Sequence, residues 1–171
     1  MNQLTIKRAI TLSISCVILS ALFFPADNEM NFQGLYSWGD LIADIQMKRK
    51  VSEFPAALVV SYFMAIGLGV GLAVISYFSP AFAAFQDYVF SSRRRIDGFI
   101  LVIGSSMLPL ALVFLHIEPI PGTSAARFFS LVADSRIALA LWCIGVWFLF
   151  YAPVLALFAW IKNISVSLKN G

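Results

Sequence analysis

Four long stretches of this chain carry no aspartate, glutamate, lysine or arginine, and they decide what it can fold into. They are AITLSISCVILSALFFP (Ala9 to Pro25), AALVVSYFMAIGLGVGLAVISYF (Ala56 to Phe78), GFILVIGSSMLPLALVFLHI (Gly98 to Ile117) and IALALWCIGVWFLFYAPVLALFAWI (Ile137 to Ile161). A run of about 20 apolar residues matches the hydrocarbon thickness of a bilayer. In lipid such a run must be helical, because every backbone donor and acceptor has to be paired internally. The rest of the chain agrees: charged residues are 12% and hydrophobic residues 60% of the 171. Soluble domains carry about 25% charged residues, so there is too little polar surface here to cover a globule in water. The expected fold is an all-α integral membrane protein. It is one domain over residues 1–171, a four-transmembrane-helix bundle with spans at about 9–25, 56–78, 98–117 and 137–161.

The first stretch follows Lys7 and Arg8 and has the look of a signal peptide. Its exit, ALFFPADNE, offers aromatics and a proline where small residues are needed for cleavage. Cys16 does not stand in a lipoprotein cleavage context either, since Ser13 occupies the aliphatic position before it. An uncleaved first span is expected.

With four spans the two tails and the middle loop share one side. That side holds seven basic residues: Lys7, Arg8, Arg93, Arg94, Arg95, Lys162 and Lys169. The other side holds five, Lys48, Arg49, Lys50, Arg127 and Arg136, together with seven of the nine acidic residues. The positive-inside rule therefore puts both termini and SSRRRIDG in the cytoplasm. The KRK at Lys48 to Lys50, close to the second span, pulls weakly the other way. Arg93, Arg94 and Arg95 serve as a topology anchor that also meets anionic lipid, or they contact a partner.

The longer outer loop contains LYSWGDLIADIQ, with helical periodicity. Leu35, Trp38, Leu41, Ile42 and Ile45 fall on one face and Asp40 and Asp44 on the other. This predicts a short amphipathic helix that lies at the membrane surface with Trp38 at head-group level, or that recognises a partner. In the second outer loop, Pro119, Pro121 and Gly122 break the chain, and Thr123 or Ser124 can cap a short helix through ARFFSLVA. Arg127 is its exposed charge, an interfacial anchor or a partner contact.

Chemistry is hard to find. The expected spans contain no ionisable core group of the kind that pumps and ion-coupled transporters use. His116 ends the third span beside Glu118, where it reads as a hydrated histidine. One histidine and two cysteines make no ordinary metal site, and Cys16 and Cys143 read as small apolar packers. No enzyme activity, cofactor, metal or nucleic-acid partner is expected. The run AIGLGVGL lacks the second half of a nucleotide loop and lies mid-span. Gly67 and Gly71 form a GxxxG, extended by Ala65, Gly69 and Ala73. Small residues let helices approach closely in lipid, either within the bundle, with a helix of another protein, or in a homo-oligomer. Pro109 and Pro153 lie inside the third and fourth spans and should kink or loosen them.

The last fifty residues resemble the ends of immunity proteins against pore-forming colicins of the A, B and N type. Gly122, Thr123, Ser124 and Ala125 stand at that family's small-residue stretch, and Arg127, Phe128, Phe129 and Leu131 at the segment after it. A long aromatic final span and the basic tail with Lys162 and Lys169 follow. Length and four-span plan are similar too. The resemblance implies a bacterial inner-membrane protein that binds the inserted helices of a pore-forming toxin and keeps the pore shut, without catalysis. The partner-facing residues would then be Gly67, Gly71, Trp38, Arg93, Arg94, Arg95 and Arg127. The same features suit a structural or accessory subunit of a larger inner-membrane complex.

Overall fold

A computed structural model describes residues 3–25, 33–80, 82, 95–115 and 120–169. Helices are the only regular structure among them: α1 (Gln3–Phe23), α2 (Gln33–Gly39), α3 (Ala43–Val51), α4 (Pro55–Tyr77), α5 (Arg95–Phe114), α6 (Ser124–Asp134) and α7 (Arg136–Lys169). Three stretches are long and apolar enough to cross a membrane: Thr5–Phe23, Pro55–Tyr77 and Arg136–Lys162. They match the first, second and fourth stretches expected from the sequence. The expected third lies in α5, whose apolar part is the shorter Val102–Phe114. Arg95 and Asp97 stand in the first turn of α5. Arg93, Arg94, His116 and Glu118 lie outside the described residues.

The centre of the molecule is the packing of α1, α4 and α7 on one another. Val17 and Ala21 of α1, Leu58, Val59, Tyr62 and Ala65 of α4, and Leu139, Cys143, Val146 and Trp147 of α7 form one buried cluster. A second, smaller cluster joins Ala73 and Phe82 to Leu155 and Ala159 at the far end of α4. The closest approach is at Gly69, where an added Cβ would sit 2.8 Å from the carbonyl oxygen of Trp147. Only glycine admits the α7 backbone there. Polar side chains pin the same interfaces. The Trp147 Nε1–H donates to Ser13 Oγ at 2.7 Å, the Ser20 hydroxyl donates to Ser61 Oγ at 3.2 Å, and the Trp147 ring stacks on Tyr151 at 5.0 Å. In an apolar surrounding such bonds have no water to compete with, and they fix which faces meet.

Each chain break has a local cause. Gly122, at φ +83°, makes the turn that leads into α6. Thr123 caps α6, its hydroxyl oxygen accepting from Ala126 N–H at 3.2 Å. Pro55 opens α4 at the position where a missing N–H costs nothing. Arg136 closes α1 from a distance: its guanidinium donates to the carbonyls of Ala21, Leu22 and Phe24, at 3.4, 3.0 and 2.7 Å. Those carbonyls belong to the last turn, which lacks intrahelical donors. Pro109 and Pro153 both lie inside continuous helices, α5 and α7.

The connection between α1 and α4 departs from the sequence expectation. Its expected single helix is two, α2 and α3, separated by a turn at residues 40–42. Gly39 packs against Val59 of α4 and Ile45, and after it the chain reverses. The break rotates everything beyond it, so the two expected faces do not persist. Trp38 and Leu41 are 65% and 67% exposed, while Asp44, expected on the polar face, is 7% exposed. Among the residues of the expected apolar face whose burial is described, Ile45 alone is fully buried.

Candidate functional site

Two features stand out, a polar cluster at one end of the bundle and an apolar groove along its side. The cluster is built by α3. Its first turn carries Asp44 and its second Lys48, one helical turn apart, so both side chains leave the same face. They form a buried ion pair. Tyr62, two turns into α4, donates its hydroxyl hydrogen to the Asp44 carboxylate. Trp142, two turns into α7, donates its indole N–H to the Tyr62 oxygen. The Lys48 ammonium lies 4.6 Å from the Trp142 ring centroid and 5.0 Å from that of Phe129 on α6. Every hydrogen bond in this chain leads toward the carboxylate, which is how a negative charge is held out of water.

Burial pushes the Lys48 ammonium below the ordinary lysine value of 10.5, and the neighbouring Asp44 carboxylate opposes that shift. Cys143, fully buried on the next position of α7, lies within electrostatic reach of both charges. The spans themselves contain no ionisable core residue, but the loop delivers two to the bundle. Sequence periodicity missed this cluster because LYSWGDLIADIQ was taken as one unbroken helix. The available signal was the i, i+4 spacing of Asp44 and Lys48, oriented as a helical ion pair prefers.

The rest of the loop is tied together and to its neighbours. Arg49 makes a two-pronged contact with Asp40, at 2.6 and 2.8 Å, across the α2–α3 turn. Its guanidinium also faces the Tyr36 ring at 5.0 Å. At the end of α3, Ser52 Oγ donates to the Ala133 carbonyl at 3.0 Å, and Glu53 N–H to the same oxygen at 3.3 Å.

The groove runs between α1 and α4. Leu12, Cys16, Gly67, Leu68, Gly71 and Ile75 line much of it, and its volume is about 400 Å³. An added Cβ at Gly67 or Gly71 would meet nothing within 4 Å. Of the expected small-residue face, Ala65, Gly69 and Ala73 pack inside the molecule, while Gly67 and Gly71 leave a bare strip of helix backbone. A wider groove of about 560 Å³ separates α5 from α7 and is lined by Gly104, Ser105, Gly145, Phe148 and Pro153 among others.

The expected site residues therefore do not converge. Gly67 and Gly71 share the groove. Trp38 stands exposed on α2, and Arg127 stands exposed on α6. Arg95 opens α5, and Arg93 and Arg94 are outside the described residues. Among the described residues, no group of three or more histidine, cysteine or acidic side chains is arranged to hold a metal.

The fold and these two features define a class: an all-helical protein whose apolar helices suit a multi-pass membrane protein. Comparison with protein-family models, with curated proteins and with solved structures finds no match.

Proposed function

We propose that this chain is a bacterial inner-membrane immunity protein that binds the membrane-inserted helices of a pore-forming toxin and blocks pore opening. The observation that carries this is the groove between α1 and α4. It is apolar along its length, it lies on two helices long enough to span a bilayer, and a Cβ added at Gly67 or Gly71 would meet no described residue within 4 Å. In lipid, association of helices relies on close packing rather than on hydrophobic driving force, and bare glycines permit it. The occupant that fits is an apolar helix within the bilayer. The resemblance of the last fifty residues to colicin immunity proteins names the kind of protein that would bring one.

In this proposal α5 is the remaining span. Its 20 residues reach about 30 Å at 1.5 Å per residue, enough for the hydrocarbon core. Both termini and Arg93 to Arg95 then face the cytoplasm, where the arginines meet anionic lipid, and α2, α3 and α6 face outward. Trp38 and Arg127 become outer contacts that discriminate between related toxins.

The test is a challenge assay. The chain is expressed alone in a sensitive bacterium, its insertion is confirmed, and membrane potential is followed under a panel of pore-forming colicin-type toxins. The expected result is that one toxin fails to depolarise the cells while its relatives succeed. The Gly67→Leu, Gly71→Leu double variant should insert normally and lose protection. Depolarisation by every toxin, together with recovery of a constant partner by crosslinking in the native membrane, would favour an accessory subunit of a resident complex. Unchanged protection in the glycine variant removes the groove from the proposal.

A further inference from the structure

The α2–α3 hairpin is fastened unlike any other element described. The three helices at the centre are held by apolar packing. Helix α3 is polar in sequence, ADIQMKRKV, and its buried side chains are Asp44, Ile45 and Lys48. Two of its three anchors are thus charges. A buried ion pair contributes little net stability, because the attraction between the charges is offset by the hydration both have lost. Withdrawing both charges together returns that hydration, whereas removing one strands the other in the bundle. The opposing walls, Tyr62 of α4 and Trp142 of α7, carry hydrogen-bond donors that water can serve equally well. The apolar part of the docking is Ile45, worth about 1.5–3 kcal/mol for a side chain of this size, with Tyr36 and Ile42 packed beside it and Gly39 on Val59.

The hairpin is also built to move as one piece. The Asp40–Arg49 contact lies within it and travels with it. Its attachment beyond α3 is concentrated at Ser52 and Glu53, which hold the Ala133 carbonyl. That leaves a hinge at one end and a reversible fastening in the middle.

We infer that the α2–α3 hairpin is a lid over one end of the bundle, latched by the Asp44–Lys48 pair in the pocket formed by Tyr62, Trp142 and Phe129, and that it opens about Ser52 and Glu53 with both charges leaving together. The inference rests on the packing of α3 and not on the identity of any partner. When the lid lifts, the α4–α7 wall around Cys143 becomes open to water.

Cys143 makes the test direct. The full chain carrying Cys16→Ser is placed in lipid nanodiscs, and the rate at which a water-soluble maleimide labels Cys143 is measured. Adding Asp44→Asn strands Lys48 and should raise the rate at least ~10-fold, since breaking one side of a buried pair is strongly unfavourable. Replacing both charges by apolar groups, Asp44→Leu with Lys48→Met, should leave the rate no higher than in the Cys16→Ser chain. A cysteine reporter at Ala73, buried at the far end of α4, in a chain with Cys16→Ser and Cys143→Ser, should stay equally protected with and without Asp44→Asn. The lid is refuted by any one of three results: no change in Cys143 labelling with Asp44→Asn, labelling in the doubly apolar variant as fast as in Asp44→Asn, or deprotection of the Ala73 reporter by Asp44→Asn.

Discussion

At the scale of single residues, three glycines of one helix and one lysine make the clearest cases. Gly67, Gly69 and Gly71 look interchangeable in AIGLGVGL, and only the path of α7 separates them. A Cβ at Gly69 would press on the Trp147 carbonyl at 2.8 Å, whereas at Gly67 it would meet nothing. Gly69→Ala should therefore destabilise the protein by about 1–3 kcal/mol, the usual cost of overpacking. Gly67→Ala should be neutral or stabilising by up to about 1 kcal/mol, because alanine favours helix. Thermal unfolding of the two variants in one detergent checks the contrast, and equal effects would contradict the close approach. Lys48 makes a pH prediction with a definite sign. A lysine whose pKa is lowered on folding holds its proton less tightly when folded. Its penalty is complete at pH below the folded value and is relieved as pH rises toward 10.5. In Asp44→Asn the opposing carboxylate is gone and the penalty grows. The melting temperature of that variant should rise as pH increases toward 10.5, and more steeply than that of the unaltered chain. A flat profile in the variant would mean that Lys48 is not buried as a charge.

Among the elements, those that followed from the sequence are the ones whose signal is their own. The runs Ala9 to Pro25, Ala56 to Phe78 and Ile137 to Ile161 need no partner to declare themselves, and three helices long and apolar enough to cross a membrane stand where they are expected. The cap of α6 was equally legible, because Thr123 sits between a turn glycine and an apolar run. The α2–α3 hairpin was not. Its apolar spacing suited one helix, and the reversal at residues 40–42 depends on Gly39 meeting Val59, a residue 20 positions away. Asp44 and Lys48 were read as surface charges because nothing local announces Tyr62 and Trp142 opposite them. Arg136 was likewise counted as a loop charge, yet it closes α1 through three carbonyls. Arg136→Met keeps the length of the side chain and removes those donors. It should cost about 1–3 kcal/mol, since the carbonyls it leaves are only partly reached by water. Hydrogen exchange should accelerate at the last turn of α1 and remain unchanged in the middle of α4. Uniform acceleration would show that Arg136 does more than close that helix.

For the whole molecule, α7 sets the dimensions. Its 34 residues extend about 51 Å at 1.5 Å per residue, against a hydrocarbon core of about 30 Å. It touches both core clusters and walls the groove beside α5, so one rod carries Trp142 near one end and Lys162 toward the other. Pro153 lies inside this rod, which is helical on both sides of it. It cannot donate to the carbonyl of Leu149, and both residues line the groove facing α5. In a bilayer the mechanical consequence is leverage. Its apolar run, Ile137 to Ile161, reaches about 37 Å, and a run longer than the core is accommodated by tilt, which decreases as the membrane thickens. Because the α2–α3 segment rests on Trp142 through Lys48, any change of tilt in a bilayer moves its seat sideways.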